Sequence, residues 1–404
     1  VELLLPYLLE EAYQVGFAIS AEPYQKLFEL RQIRFKQLSY LKEYSIKHST
    51  AVHSWEAWGD AVTADLIEGT TGVGHSPAAT AIWLHRARQS GLHPEKQEAA
   101  RLYLEKASYS AETGIAGVYP TLWPIPRYEQ AFGLYMLLTA GLLRHEALTD
   151  VVQPKVEELW KAMTPNGIGL SDHFKKDGDD TAVTLALLRA SGIAADLAPL
   201  ELFNNKDHYC AFAGELQASL SVTAHAAHAL YEYGYDKLEQ INDYVVSRQL
   251  PDGSWPGDKW NNSWIYVTSQ ILIGMFDKLP AQSGLKAIHA LLDNQRLDGG
   301  WGTYESNGEE TAYALLGLRT LKVDSDDLSV AIRNSIRRGM SWMLRNYRPF
   351  QHLSTNSWIG KESYCPRRIS KMTELSAMLA CLTDDIQPKD VTILDDASSL
   401  TVIV

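Results

Sequence analysis

The chain has 404 residues, 46% hydrophobic and 21% charged, an ordinary globular composition long enough for two or three domains. A formal net charge of −12 argues against nucleic acid as a partner, so cations that meet an anionic ligand must be placed locally. Cys210, Cys365 and Cys381 are scattered without CxxC spacing, which argues against a disulfide framework or structural zinc and for a reducing, cytoplasmic compartment.

No apolar run reaches the roughly 18–20 residues that span a bilayer, and no targeting peptide is visible. The chain opens at Val1, without Met, inside a helical pattern (Leu4, Tyr7, Leu8, Ala12, Val15), which suggests a processed form or a missing N-terminal segment. A second helix is expected from about Ala21 to Tyr44, with Arg31, Arg34, Lys36 and Lys42 on a basic face. His53-Ser54-Trp55-Glu56 follows, then Ser76-Pro77-Ala78-Ala79-Thr80-Ala81, a Ser-Pro helix start with small residues that allow close packing. The Gly/Pro-rich passage from Gly114 to Pro126 is the best domain boundary.

Beyond it helices alternate regularly, at about 128–146, 151–163, 179–192, 215–233, 236–249, 262–277, 283–295, 308–321, 327–346 and 368–383. No segment shows the period of two of a strand, so the fold class is all-α. Gln249-x3-Gly253-x-Trp255 and Gln295-x3-Gly299-x-Trp301 repeat 46 residues apart, the length of a helical hairpin. Repeated hairpins imply a solenoid or a closed ring of paired helices, with Gln and Trp tying each helix end to the next hairpin.

Asp177-Gly178-Asp179-Asp180-Thr181-Ala182 opens one of these helices. The plain reading is a capped helix start, for which a single Asp suffices. Three enclosed carboxylates cannot all ionise, so a proton is held or shared among them. A proton held beside an apolar cavity is a Brønsted acid. The residues alone leave both readings open.

The QxxxGxW repeats resemble the QW motifs of the triterpene and diterpene cyclases, and Asp177–Ala182 resembles their DxDD(T/S)A acid motif. Further stretches resemble the copalyl diphosphate synthase branch. They are His53–Glu56, Ser76–Ala81, Val118-Tyr119-Pro120, Asp258-Lys259-Trp260, Glu309–Tyr313 and Trp358-Ile-Gly-Lys361-Glu-Ser-Tyr-Cys365, in family order. The resemblance implies α/α (double) barrel-type helical domains in the βγ class II terpene cyclase architecture. Residues 1–118 would form a γ-like domain and 119–404 a β-like one with the QW repeats. The family's opening β segment, with a SAYDTAW motif, another QW repeat and an acidic magnesium-binding stretch, would precede Val1.

The implied activity is protonation-initiated cyclisation of geranylgeranyl diphosphate to a bicyclic copalyl-type diphosphate that keeps its diphosphate. Asp179 would be the proton donor, tuned by Asp177 and Asp180, with His225 beside it as hydrogen-bond partner or proton resupply. Lys36, Lys361, Arg367 and Arg368 would meet the diphosphate, which brings Mg²⁺ with it; no metal ligand set is identifiable in the chain itself. The cation needs electron-rich, non-nucleophilic walls, for which Tyr119, Trp260, Tyr313 and Trp358 are candidates. The family's terminal base is a water held by a His and an Asn. His53 matches the His, but Gly117 stands where the Asn belongs, so the quench site and ring stereochemistry stay open.

No Asp pair here completes DDxxD, so the diphosphate-ionising class I chemistry is not expected. Asp324-Ser-Asp326-Asp327 is a second DxDD without the following Thr-Ala and reads as a solvated capping loop. Alternative readings are the same chemistry on farnesyl diphosphate or a prenylated aromatic acid, and a non-catalytic helical toroid or prenyltransferase-like subunit. A homodimer is an open expectation.

Overall fold

The structure, a computed structural model, describes residues 2–41, 50–59, 61–67, 72–110, 117–215, 217–321, 326–348 and 366–383. Trp358, Lys361 and the Asp324 of the second DxDD lie outside them. The buried apolar residues fall into two clusters, one drawn from Leu38 to Ala100 and one from Ala131 to Cys381.

The first cluster carries α1 (Leu4–Gln14), α2 (Gln25–Leu41), α3 (Pro77–Ser90) and α4 (Pro94–Ser110), with a 3₁₀ segment Thr50–Ala57 against α3. Ser76 starts α3 by accepting from the Ala79 N–H at 3.1 Å, with Pro77 at the first helical position. The second cluster contains α5 (Pro126–Thr139), α6 (Thr149–Ala162), α7 (Gly178–Ala190), α8 (Ala198–Glu201), α9 (Leu220–Glu232) and α10 (Glu239–Ser247). It continues with α11 (Trp264–Met275), α12 (Ala281–Asp293), α13 (Gly308–Leu318), α14 (Asp326–Asn346) and α15 (Arg367–Thr383).

Contacts close a ring. Helix α5 packs on α7, α7 on α9, α9 on α11, α11 on α13, α13 on α15, and α15 back on α5. Helices α6, α10, α12 and α14 pack outside it, as in an α/α barrel. Inner helices α7, α9, α11 and α13 are buried nearly all round: α7 buries Thr181 through Leu188 without a break. The helix expected from about 215 begins at Leu220, because Ser219 supplies the cap by accepting from the Val222 N–H.

The repeats lock outer helices to the loops. Gln249 donates to the Gly253 and Ser283 carbonyls at 2.8 and 2.9 Å, and accepts from the Ser283 hydroxyl. Gln295 does the same with Gly299 and Ser335. Each Gln thus ties its loop forward to the next outer helix. Each Trp ties it back, since Trp255 and Trp301 donate to the Val245 and Leu291 carbonyls at 2.7 Å. Gly253 and Gly299 sit at φ +90° and +97°, and a Cβ would meet the Lys286 and Arg338 carbonyls, so only glycine fits.

A second device repeats along the ring. Thr181, Thr223, Thr268 and Thr311 near the starts of α7, α9, α11 and α13 each accept a backbone N–H from the loop before, at 2.9–3.1 Å. The inner helix starts are thereby held at one level.

Candidate active site

The inner helices present their first turns to a cavity of about 230 Å³. Tyr128 of α5, Asp179 and Asp180 of α7, Tyr266 of α11, Glu309 of α13 and Ile369 of α15 all line it. Several positive helix-dipole ends therefore converge there, which favours carboxylate over carboxylic acid. The walls are largely aromatic: Phe132 stacks near Tyr128 with centroids 4.3 Å apart, and Tyr266 meets Tyr313 edge-on at 4.9 Å. Such faces stabilise positive charge without attacking it.

Asp177 caps α7, its Oδ1 accepting from the Asp180 N–H at 2.9 Å. Its Oδ2 and both oxygens of Asp180 are buried with no hydrogen-bond partner among the described residues. Burial pushes Asp177 up to about 7 and Asp180 well above the carboxylate range, the latter helped by the charges of Asp177 and Asp179. Asp179 differs: its Oδ1 lies 2.6 Å from His225 Nδ1, and its carboxyl is part-exposed to the cavity. His225 Nε2 lies 3.1 Å from Gln270 Oε1, so that nitrogen donates. Burial alone would lower His225, but the Asp179 carboxylate and the two hydrogen bonds bring it above its ordinary value. His225 thus bridges the Asp179 carboxyl to the Gln270 amide.

The first cluster closes the other side. His53, on the 3₁₀ segment, lines the cavity edge-on to Phe174, and its Nδ1–H bonds the Gly74 carbonyl at 3.0 Å. Burial lowers its pKa, so it is neutral with Nε2 left as an acceptor. His75 joins the two clusters through Ser171 at 2.7 Å, and Tyr103 donates to the Trp123 carbonyl.

The structure therefore brings together Asp177, Asp179, Asp180, His225, His53, Trp260 and Tyr313 in or against one cavity. It does not bring Tyr119, Lys36, Arg367 or Arg368 into the cavity lining, and Gly117 adds no side chain there. Tyr119, expected as a cavity aromatic, is 38% exposed, because the Pro-bounded extended connection turns it outward and sends Thr121 and Leu122 inward instead. Lys36 lies exposed on α2, outside the cavity lining. Arg368 is exposed and bonds Glu129 at 3.5 Å; Arg367, half-buried, follows the cavity-lining Pro366. Gly117 is exposed at φ +82° and places nothing beside His53.

Sequence reasoning missed Tyr128, Phe132, Phe174, Phe212 and Tyr266 as wall residues, and the partner Gln270. It also missed two cations at the rim. Lys259 lies 4.5 Å above the Trp260 ring and pairs with Glu215, and Lys175 lies 5.8 Å from the Phe212 ring. A polar Gln inside the apolar run of α11 was the available signal for Gln270. Among the described residues no group of three His, Cys, Asp or Glu side chains could hold a metal ion. None of their helices is long and apolar enough to cross a membrane.

Comparison with known proteins agrees with this geometry. The squalene-hopene cyclase C-terminal domain family matches residues 213–349. The chain is 40% identical over 407 residues to (+)-kolavenyl diphosphate synthase of Herpetosiphon aurantiacus, covering 96% of this chain and 76% of that one. It is 28% identical to the ent-copalyl diphosphate synthase of Streptomyces sp. strain KO-3988, covering 94% and 74%. The solved ent-copalyl diphosphate synthase from Streptomyces platensis superposes with a TM-score of 0.73 at 26% identity, covering 94% of this chain and 76% of that chain. A closed ring of inner helices, a buried DxDD at its mouth and these relatives place the chain in the class II diterpene cyclase family.

Proposed function

We propose that the chain protonates geranylgeranyl diphosphate and cyclises it to a bicyclic copalyl- or kolavenyl-type diphosphate, the diphosphate being retained. The observation that carries this is the divided carboxylate triplet. Two members are buried without donors and pushed toward their acid forms, and the third faces an aromatic cavity with His225 on one oxygen.

Asp179 is the proton donor. Its Oδ1 is hydrogen-bonded to His225, which fixes the carboxyl and leaves Oδ2 to present the proton to the cavity. The α7 N-terminus stabilises the carboxylate left behind. Asp177 and Asp180 keep protons in this enclosed space and so limit the repulsion on that carboxylate. The proton adds to the distal alkene, and successive alkenes close rings between the aromatic walls. His53 completes the cavity as a neutral acceptor for a water or a proton.

The diphosphate lies at the rim, near Lys175, Lys259 and Arg367. Lys361 is assigned to it by the resemblance; Lys36 and Arg368 would reach it only from outside the cavity. Mg²⁺ accompanies the phosphate oxygens and neutralises their charge.

The test is incubation with geranylgeranyl diphosphate and Mg²⁺, phosphatase treatment and product analysis. Cyclic C20 alcohols are expected. Turnover of farnesyl diphosphate alone would overturn the substrate assignment.

A further inference from the structure

The acid has a counterpart across the ring. Helix α13 opens Asn307-Gly308-Glu309-Glu310-Thr311-Ala312, the same pattern as Asp177-Gly178-Asp179-Asp180-Thr181-Ala182. The two starts are built alike. Asn307 caps through the Glu310 N–H at 2.8 Å as Asp177 does through Asp180, and Thr311 holds the preceding loop as Thr181 does. In the ring order α5, α7, α9, α11, α13, α15, the helix directly opposite α7 is α13. Glu309 therefore occupies the position of Asp179 on the facing wall, and both line the cavity. Packed helix axes lie about 8–10 Å apart, so opposite members of such a ring stand roughly 16–20 Å apart, with the cavity and side chains between.

Glu309 and Glu310 are treated differently. Glu310 accepts from Ser263, Thr303 and Asn307 and faces away from the cavity. Glu309 is buried and has hydroxyl partners only: Ser370 donates to it at 3.0 Å, and Tyr313 bonds it from one turn along. Among the described residues no ion pair reaches it, and Lys371 on the same helix as Ser370 is engaged by Glu374. A carboxyl buried at an apolar wall without a cation costs stability. Burial, first, and then the charges of Glu374 and Glu310 push it up to about 8, which makes its carboxylate a stronger proton acceptor than an ordinary one.

Resting on the reading that Asp179 starts the reaction, we infer that Glu309 is the base that ends it and so fixes the position of the final double bond. Ring closure carries positive charge away from the Asp179 wall toward α13. The C–H bond beside the cationic carbon breaks, its electron pair becomes the new C=C bond, and the proton passes to a Glu309 carboxylate oxygen. The diphosphate is untouched. Charge in the cavity favours the ionised carboxylate at that moment. His53 is the rival acceptor, but Gly117 brings no side chain to hold a water with it.

The test compares wild type, Glu309→Gln, Glu309→Asp and His53→Ala on geranylgeranyl diphosphate with Mg²⁺, reading substrate loss and product identity separately. In Glu309→Gln, consumption should fall no more than about ten-fold, because the acid is intact, below the ~10²–10⁴-fold of a lost proton-transfer group in the first step. More than half of its product should become another double-bond isomer or a water-quenched alcohol. Glu309→Asp, with a retracted carboxyl, should give both product sets. A wild type that forms no cyclic diphosphate overturns the reading and the inference together. A wild type that cyclises, with Glu309→Gln returning the same isomer or only His53→Ala changing it, overturns the inference alone.

Discussion

The starts of α7 and α13 are the same local structure put to different uses. Each has a capping side chain, a glycine, two acids and a Thr that pins the loop. In α13 the second acid, Glu310, is saturated with hydrogen-bond donors and acts as a structural knot. In α7 the second acid, Asp180, finds no such donors among the described residues and has only Asp177 beside it, although it is equally buried. The first acid of α7 meets the His225 imidazole; that of α13 meets two hydroxyls. Removing donors from a buried carboxyl makes it hold its proton, and a histidine on one oxygen of its neighbour orients the other toward the cavity. The difference between scaffold and acid lies in the partners, not in the motif.

The strongest way to break the comparison is at the two acids. Asp179→Asn keeps the helix start and should lower cyclisation by about 10²–10⁴-fold, with an unchanged circular dichroism spectrum. More than a few per cent residual activity would mean the proton comes from elsewhere. Glu310→Gln should do the reverse. It should cost about 1–3 kcal/mol in urea unfolding, because buried hydroxyls and a backbone N–H lose a charged acceptor, and should leave the product unchanged. A changed product would place Glu310 in the chemistry.

A smaller effect follows from the proton held by Asp177. Its folded pKa of about 7 is above its ordinary 3.8, so the folded state binds the extra proton. That stabilisation is complete below the ordinary value and is lost as pH rises through about 7. Between those limits it changes by at most ~1.4 kcal/mol per pH unit. Unfolding measured across this range should show stability falling with pH, and Asp177→Asn, which preserves the cap, should flatten the slope. An identical slope in the variant would mean Asp177 is ionised in the fold.

The smallest expected contrast is at the rim. Lys259→Ala should raise KM several-fold, below the ~1.5–3 kcal/mol of a full charge-assisted hydrogen bond because Glu215 already pairs with it, and Lys36→Ala should leave it within two-fold. The opposite order would return the diphosphate to α2.

Much of this was legible beforehand for physical reasons. The helix starts follow caps that are visible as Ser, Asn and Asp, and the QxxxGxW spacing has no other way to satisfy its glycine and its indole. The acid was legible because three carboxylates exceed what a cap needs. The walls were not. An inner helix such as α11 is apolar all round, so periodicity does not say which side of Tyr266 or Phe132 meets the cavity. Tyr119 misled because a Pro-bounded extended stretch has no inward face to read. Glu309 was visible only as a fragment of a family motif; setting its NGEETA beside DGDDTA is what singles it out, and the ring order gives that likeness a place.

The most direct test of the central claim is turnover of geranylgeranyl diphosphate in D₂O, followed by mass spectrometry of the intact product. If Asp179 delivers a solvent-exchanged proton to an alkene, the product is a cyclic diphosphate carrying one deuterium, and Asp179→Asn yields none of it. A product without deuterium, or one that has lost its diphosphate, would contradict protonation as the opening step.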